Sequence, residues 1–94
     1  MTMKYQRKST IMIEKVGIKE QDDVMVQDQN GGSIYVVNWS AGYLLQLLES
    51  PLGTEELGEI VSSEFQADKE QLKEQIAQMI EIFNRNGWVD VIET

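Results

Sequence analysis

The 94-residue sequence predicts an α+β domain of winged-helix type, a three-stranded antiparallel sheet followed by three helices. Three observations predict it. Apolar residues alternate with period two as far as Val37, they recur at helical spacing from Leu44 to Phe83, and capping and turn residues separate the runs. With 41% hydrophobic and 26% charged residues and no Pro-, Gly- or Ser-rich interruption, the chain builds one core rather than two, a single domain over 1–94.

The start, through about residue 10, is polar and basic and reads as a flexible arm. Ile11 and Ile13, then Val16 and Ile18, stand two apart, which predicts a strand around Val16–Glu20 whose pattern reaches back to Ile11. Val24-Met25-Val26 follows the polar turn Gln21-Asp22-Asp23. Ile34-Tyr35-Val36-Val37 follows Asp28 to Ser33, a stretch rich in residues that tolerate positive φ, so the three strands form a meander. Beyond Val37 the period changes. Leu44, Leu45, Leu47 and Leu48 predict a helix over about Ser40–Glu49, capped by Asn38 or Ser40 and ended before Pro51. Thr54 caps a second helix, about Glu55–Phe65, carried by Leu57, Ile60, Val61 and Phe65. The third runs from its cap Asp68 to a stop at Asn86-Gly87. Its apolar side chains cover an arc of about 160°, wider than the roughly 100° that one core contact requires, so one flank, with Met79 and Ile82, is a candidate wall of an open groove. Trp88 to Ile92 alternates again and either packs back on the core or adds a short strand.

Composition excludes much chemistry. The chain has no Cys and no His, which removes disulfides, thiolate ligands, the commonest general base and the commonest transition-metal ligand. We therefore expect a non-enzymatic protein without a cofactor. No apolar run approaches the ~20 residues of a spanning helix, and no signal-peptide pattern opens the chain, so a cytoplasmic protein is expected. Met1 to Lys15 carries four basic residues against one acid, whereas the remainder holds four basic and fifteen acidic side chains. Such a body repels nucleic acid and anionic membranes and attracts basic partners.

Individual motifs resolve into structure. Asp28-Gln29-Asn30-Gly31-Gly32 lacks the later ligands of a calcium loop, since Gly32 and Tyr35 stand where oxygen donors belong, and reads as a hairpin turn. Asp22-Asp23 would point to opposite strand faces and cannot act as a carboxylate pair. Ser40 at a helix start raises a phosphopantetheine carrier, but Trp39 precedes it where that pattern has Asp. A winged-helix DNA-binding regulator is the reading from another class. Its recognition helix would be the third, where Lys69, Lys73 and Arg85 face Asp68, Glu70, Glu74 and Glu81, a net charge unsuited to phosphates.

At Ile34-Tyr35-Val36-Val37-Asn38, the Leu44 to Leu48 helix, Gly53-Thr54-Glu55-Glu56-Leu57, and Phe83 with Gly87-Trp88-Val89, the chain resembles the PqqD-like family. Two departures are Trp39, bulkier than the usual residue after the Asn, and the slightly long connection Ser50-Pro51-Leu52. The resemblance implies a recognition element for ribosomally made, post-translationally modified peptides. A precursor's leader segment would bind as an extra strand and be delivered to a leader peptidase and a maturation enzyme. It looks most like the free-standing leader-binding protein of lasso-peptide biosynthesis, with a protease and a cyclase as partners. A chaperone presenting a precursor to a radical enzyme is the near alternative. By matching position, Ile34, Tyr35, Val36 and Val37 would supply a strand wall and Gln75, Met79, Ile82 and Phe83 a helix wall. The acidic body suits a basic leader.

Overall fold

The structure, a computed structural model, describes residues 3–15, 17 and 22–93. Its first strand, β1 (Met3–Arg7), lies where a flexible arm was expected. That expectation is corrected by long-range pairing: β1 runs antiparallel to the last strand, with Met3 opposite Glu93 and Arg7 opposite Val89. Its other side is also engaged. Tyr5 N–H donates to the Leu52 carbonyl at 2.8 Å and Leu52 N–H to Tyr5 at 3.0 Å. The Arg7 guanidinium donates to the Leu45 carbonyl at 3.1 Å, so the basic side chain holds the strand to a helix end.

The meander follows as β2 (Ile11–Lys15), β3 (Val24–Asp28) and β4 (Ile34–Val37), in spatial order β2-β3-β4. The first of these strands is the backward reach of the predicted one. Apart from Gly17, the predicted stretch Val16–Glu20 lies outside the described residues. The β3–β4 turn is a hairpin turn as expected. The Asp28 carboxylate accepts from the backbone N–H groups of Asn30 at 3.0 Å and Gly31 at 3.3 Å, and Gly32 takes φ of +72°.

Three helices come next: α1 (Trp39–Leu47), α2 (Thr54–Phe65) and α3 (Lys69–Arg85). Of the two caps offered for α1, Asn38 serves, its carbonyl oxygen accepting from Ala41 N–H at 2.9 Å and from the Ser40 hydroxyl at 3.1 Å. Gly53, not Thr54, caps α2. A glycine has no side chain to cap with, and the Glu56 carboxylate instead accepts from Gly53 N–H at 3.1 Å. Asp68 caps α3 through Glu70 N–H at 3.0 Å. Gly87, at φ of +75°, turns the chain out of α3. The chain then forms β5 (Val89–Glu93), which completes the two-stranded sheet with β1.

One apolar cluster joins all of this, with Ile11 and Val26 from the meander, Leu44, Leu45, Leu48 and Leu57 from the first two helices, and Ile76, Ile80 and Phe83 from α3. Trp88 and Val89 close it. Helix α1 reaches the sheet closely because Gly42 has no Cβ, and one placed there would overlap the Val24 side chain. Among the described residues no polar or charged side chain is buried.

A candidate peptide-binding groove

The open edge of β4 is the starting point. Its partner on one side is β3, and among the described residues no strand occupies the other side, so main-chain N–H and C=O groups face outward along an apolar, uncharged segment. Register then decides where each side chain points. Val24 pairs with Val37 and Val26 with Tyr35, whereas Met25 pairs with Val36 and Gln27 with Ile34. Directly opposed residues share a face, and Val24 and Val26 are buried, so Tyr35 and Val37 look toward the helices. Ile34 and Val36, 58% and 61% exposed, look away from them.

Helix α3 carries Gln75, Met79 and Ile82. Tyr35 reaches this side through an aromatic relay: its ring centroid lies 5.3 Å from Trp88, which lies 6.0 Å from Phe83. Trp88 is thereby the floor between strand and helix. Nearer the start of α3 lies a cavity of about 330 Å³ whose lining includes Trp39, Tyr43, Phe65, Leu72, Gln75 and Met79. The Phe65 ring stands edge-on to both Trp39 and Tyr43, each at 5.4 Å. These rings form a partition, because a second cavity of about 320 Å³, reached by Lys15, Gln46 and Glu64, lies against the same three side chains. Burial first and the Glu64 carboxylate second push the Tyr43 hydroxyl above its ordinary pKa, so it stays a hydrogen-bond donor near neutrality.

The eight residues expected to line the site therefore separate. Gln75 and Met79 line the cavity, and Tyr35 and Val37 share the inward face of the sheet. Phe83 is only 2% exposed and belongs to the core beneath Trp88, not to a wall. Ile34 and Val36 can offer main-chain groups to the edge, but their side chains occupy the opposite face. Ile82 is 50% exposed and borders neither cavity. Sequence reasoning missed Trp39, Tyr43 and Phe65. The signal available was the i, i+4 spacing of the first two on α1, flanking the leucine run that was taken to define that helix.

No group of three or more Asp or Glu side chains among the described residues is placed to hold a metal ion. What the arrangement offers is a hydrogen-bonding edge on β4 and an apolar cavity between the helices.

Comparison with known proteins finds the same fold and a family match. No curated protein sequence is similar enough to register. Two solved structures share the fold: "Lasso peptide synthetase B1 complexed with the leader peptide", at TM-score 0.69 and 15% identity over 92% of this chain and 96% of that one, and "TbiB1 in Complex with the TbiA(beta) Leader Peptide", at TM-score 0.70 and 12% identity over 90% and 94%. The family model for coenzyme PQQ synthesis protein D (PqqD) matches residues 23–89, which run from the start of β3 to the first residue of β5 and take in the edge strand, all three helices and the cavity between them. This chain belongs to the PqqD family.

Proposed function

We propose that β4 takes up the leader segment of a ribosomally made precursor peptide as a fourth strand, and that the protein delivers it to maturation enzymes, a lasso-type protease and cyclase, without catalysing a reaction itself. One observation carries the reading: β4 is an open, uncharged, apolar edge in a domain that also holds an apolar cavity between its helices. Strand addition draws affinity from main-chain bonds and selectivity from alternate side chains. Here one alternate set would meet Tyr35, Val37 and the Trp88 floor, with a bulky side chain in the cavity lined by Trp39, Tyr43, Phe65 and Met79. Methionine and aromatic walls suit that role, since both are large, apolar and adaptable. Both structural neighbours are complexes with leader peptides, which supports a precursor peptide as the ligand.

Calorimetry with the leader of the precursor encoded beside this gene tests the proposal. Binding near the micromolar range, about −8 kcal/mol, with amide shifts at Ile34 to Val37 is the expected outcome. Absence of heat together with unmoved β4 amides would remove the reading.

A further inference from the structure

The second cavity, of about 320 Å³, differs in chemistry from the first and has no part in the leader-binding reading. Its ring wall is the partition itself, with Phe65 edge-on to Trp39 and Tyr43 at 5.4 Å. Phe65 is 44% exposed, so the rings do not cover one another. No charged side chain lines the first cavity, whereas Glu64 and Lys15 both line the second. Lys15 lies on the inward face of β2, opposite buried Val24, and the adjacent Glu14 borders the cavity although its side chain belongs to the other face. Glu64 is the unpaired acid of its helix. Glu55, Glu56 and Glu59 each pair with a lysine ammonium, whereas Glu64 makes no hydrogen bond or ion pair among the described residues. It also stands in the last turn of α2, where free carbonyls make the helix end negative and no basic residue offsets them. An acid there is unfavourable for the empty protein and favourable for a cation. Burial first and this carboxylate second raise the Tyr43 hydroxyl above its ordinary pKa, so the field of Glu64 reaches the ring wall.

We infer that the second cavity binds a small organic cation, an amidinium, guanidinium or alkylammonium group carried on a flat or short apolar body. Aromatic rings attract such a cation electrostatically, and an ionised carboxylate beside them fixes its charged end through strong hydrogen bonds. The apolar body lies against Ile13 and Val24, which line the cavity from the sheet side. The volume suits a single ring or a short chain rather than a large ligand. An anion of the same shape is repelled by Glu64 and by the helix end, and a neutral isostere gains nothing from either. Lys15 opposes the cation from the far wall, which limits affinity and supplies a second handle on the site. The inference stands on this cavity alone and does not need a strand added to β4.

The test titrates the full chain with benzamidine, a flat cation, and with benzamide, its neutral isostere, and follows backbone amide shifts. The expected result is a benzamidine dissociation constant of about 1 mM or tighter, shifts centred on Gly42, Tyr43, Gln46 and Glu64, and benzamide binding at least about tenfold weaker. Glu64→Gln, at an exposed position, weakens benzamidine binding by about tenfold, and Lys15→Gln, which removes the one cation among the lining residues, tightens it by about twofold or more. Equal affinity for the two probes, shifts centred elsewhere, or unchanged benzamidine binding by a Glu64→Gln protein that melts with the parent overturns the inference. If Glu64→Gln melts early, Lys15→Gln decides, and benzamidine binding there that is equal or weaker overturns it too. Repeating the titration with leader bound identifies the source of the cation. Undiminished benzamidine binding leaves the site to a free small molecule, and competition that disappears when the leader's Lys and Arg are replaced by Ala gives it to a basic side chain of the leader. Competition that persists with the uncharged leader places the probe in the first cavity and overturns the inference. Absence of leader binding would remove the strand-addition reading and leave the benzamidine result standing.

Discussion

Ile82 and Phe83 are neighbours on α3 with opposite surroundings. Phe83 lies in the core under Trp88, whereas half of Ile82 faces solvent on an open flank of the helix. Phe83→Ala should therefore lose about 3–5 kcal/mol of stability in denaturant unfolding, because it removes a buried ring and leaves a cavity. Ile82→Glu puts a charge where water already reaches, and should change stability by no more than about 0.5 kcal/mol. If that flank meets the leader, the same substitution weakens leader binding by about tenfold, or 1.4 kcal/mol. Thermal midpoint and dissociation constant measured on one preparation separate these effects. An Ile82→Glu protein that melts far below the parent would place this side chain in the core, and one that keeps both stability and affinity would remove it from the site.

At the scale of elements, the start of α2 concentrates interactions that tie it to β1 and to α3. Glu56 accepts from Gly53 N–H and pairs with the Lys4 ammonium at 3.3 Å, linking α2 to β1, while Glu55 pairs with Lys73 and, at 3.7 Å, with Lys69 of α3. The Gly53 N–H first and Lys4 second hold the Glu56 carboxyl below its ordinary pKa, and Lys73 does the same for Glu55. A depressed carboxyl stabilises the fold above its unfolded-state pKa and loses that contribution as pH falls through the folded-state value. The thermal midpoint should accordingly drop on acidification through and below the ordinary carboxylate range. Glu56→Gln should lie below the parent near neutrality and converge with it in acid, and a gap that persists at the acid end would assign the effect to something other than this charge. These exposed pairs trim stability rather than create it. The elements themselves were largely legible: the helices, their ends near Phe65 and Gly87, and the Asp28 turn follow from local periodicity and capping. The β1–β5 pairing was not, because nothing near Met3 reports a partner at Glu93 some ninety residues away. The facing of β4 was equally hidden. All four residues Ile34 to Val37 are apolar, so alternation yields two faces without naming the inner one, and only the burial of Val24 and Val26 across the register decides it. The aromatic partition needs Trp39 and Tyr43 from one helix and Phe65 from the end of another, a meeting that only the tertiary fold produces.

For the whole molecule, charge and shape act on approach before any contact forms. The net charge of −8 is spread unevenly: β1 and the adjoining segment are basic, while exposed Glu and Asp side chains cover much of the helices. The cavity between the helices is lined mainly by apolar side chains, and Glu64 stands beside the aromatic partition. A basic leader would therefore be attracted over long range and then held by uncharged contacts, main-chain bonds and apolar side chains. Long-range attraction between exposed charges fades beyond roughly 8–10 Å at 0.1–0.15 M salt, whereas desolvated contacts in a groove are screened much less. The two halves of the binding process should then respond differently to ionic strength. Stopped-flow fluorescence, with Trp39 in the cavity lining and Trp88 beside Tyr35 of β4 as reporters, measures both. Raising salt from about 0.02 to 0.5 M should slow association several-fold and leave dissociation nearly constant. An association rate indifferent to salt would assign the acidic surface to solubility alone. A dissociation rate that rises in step with the fall in association would mean that charge pairs, rather than the β4 edge and the apolar groove, hold the bound peptide.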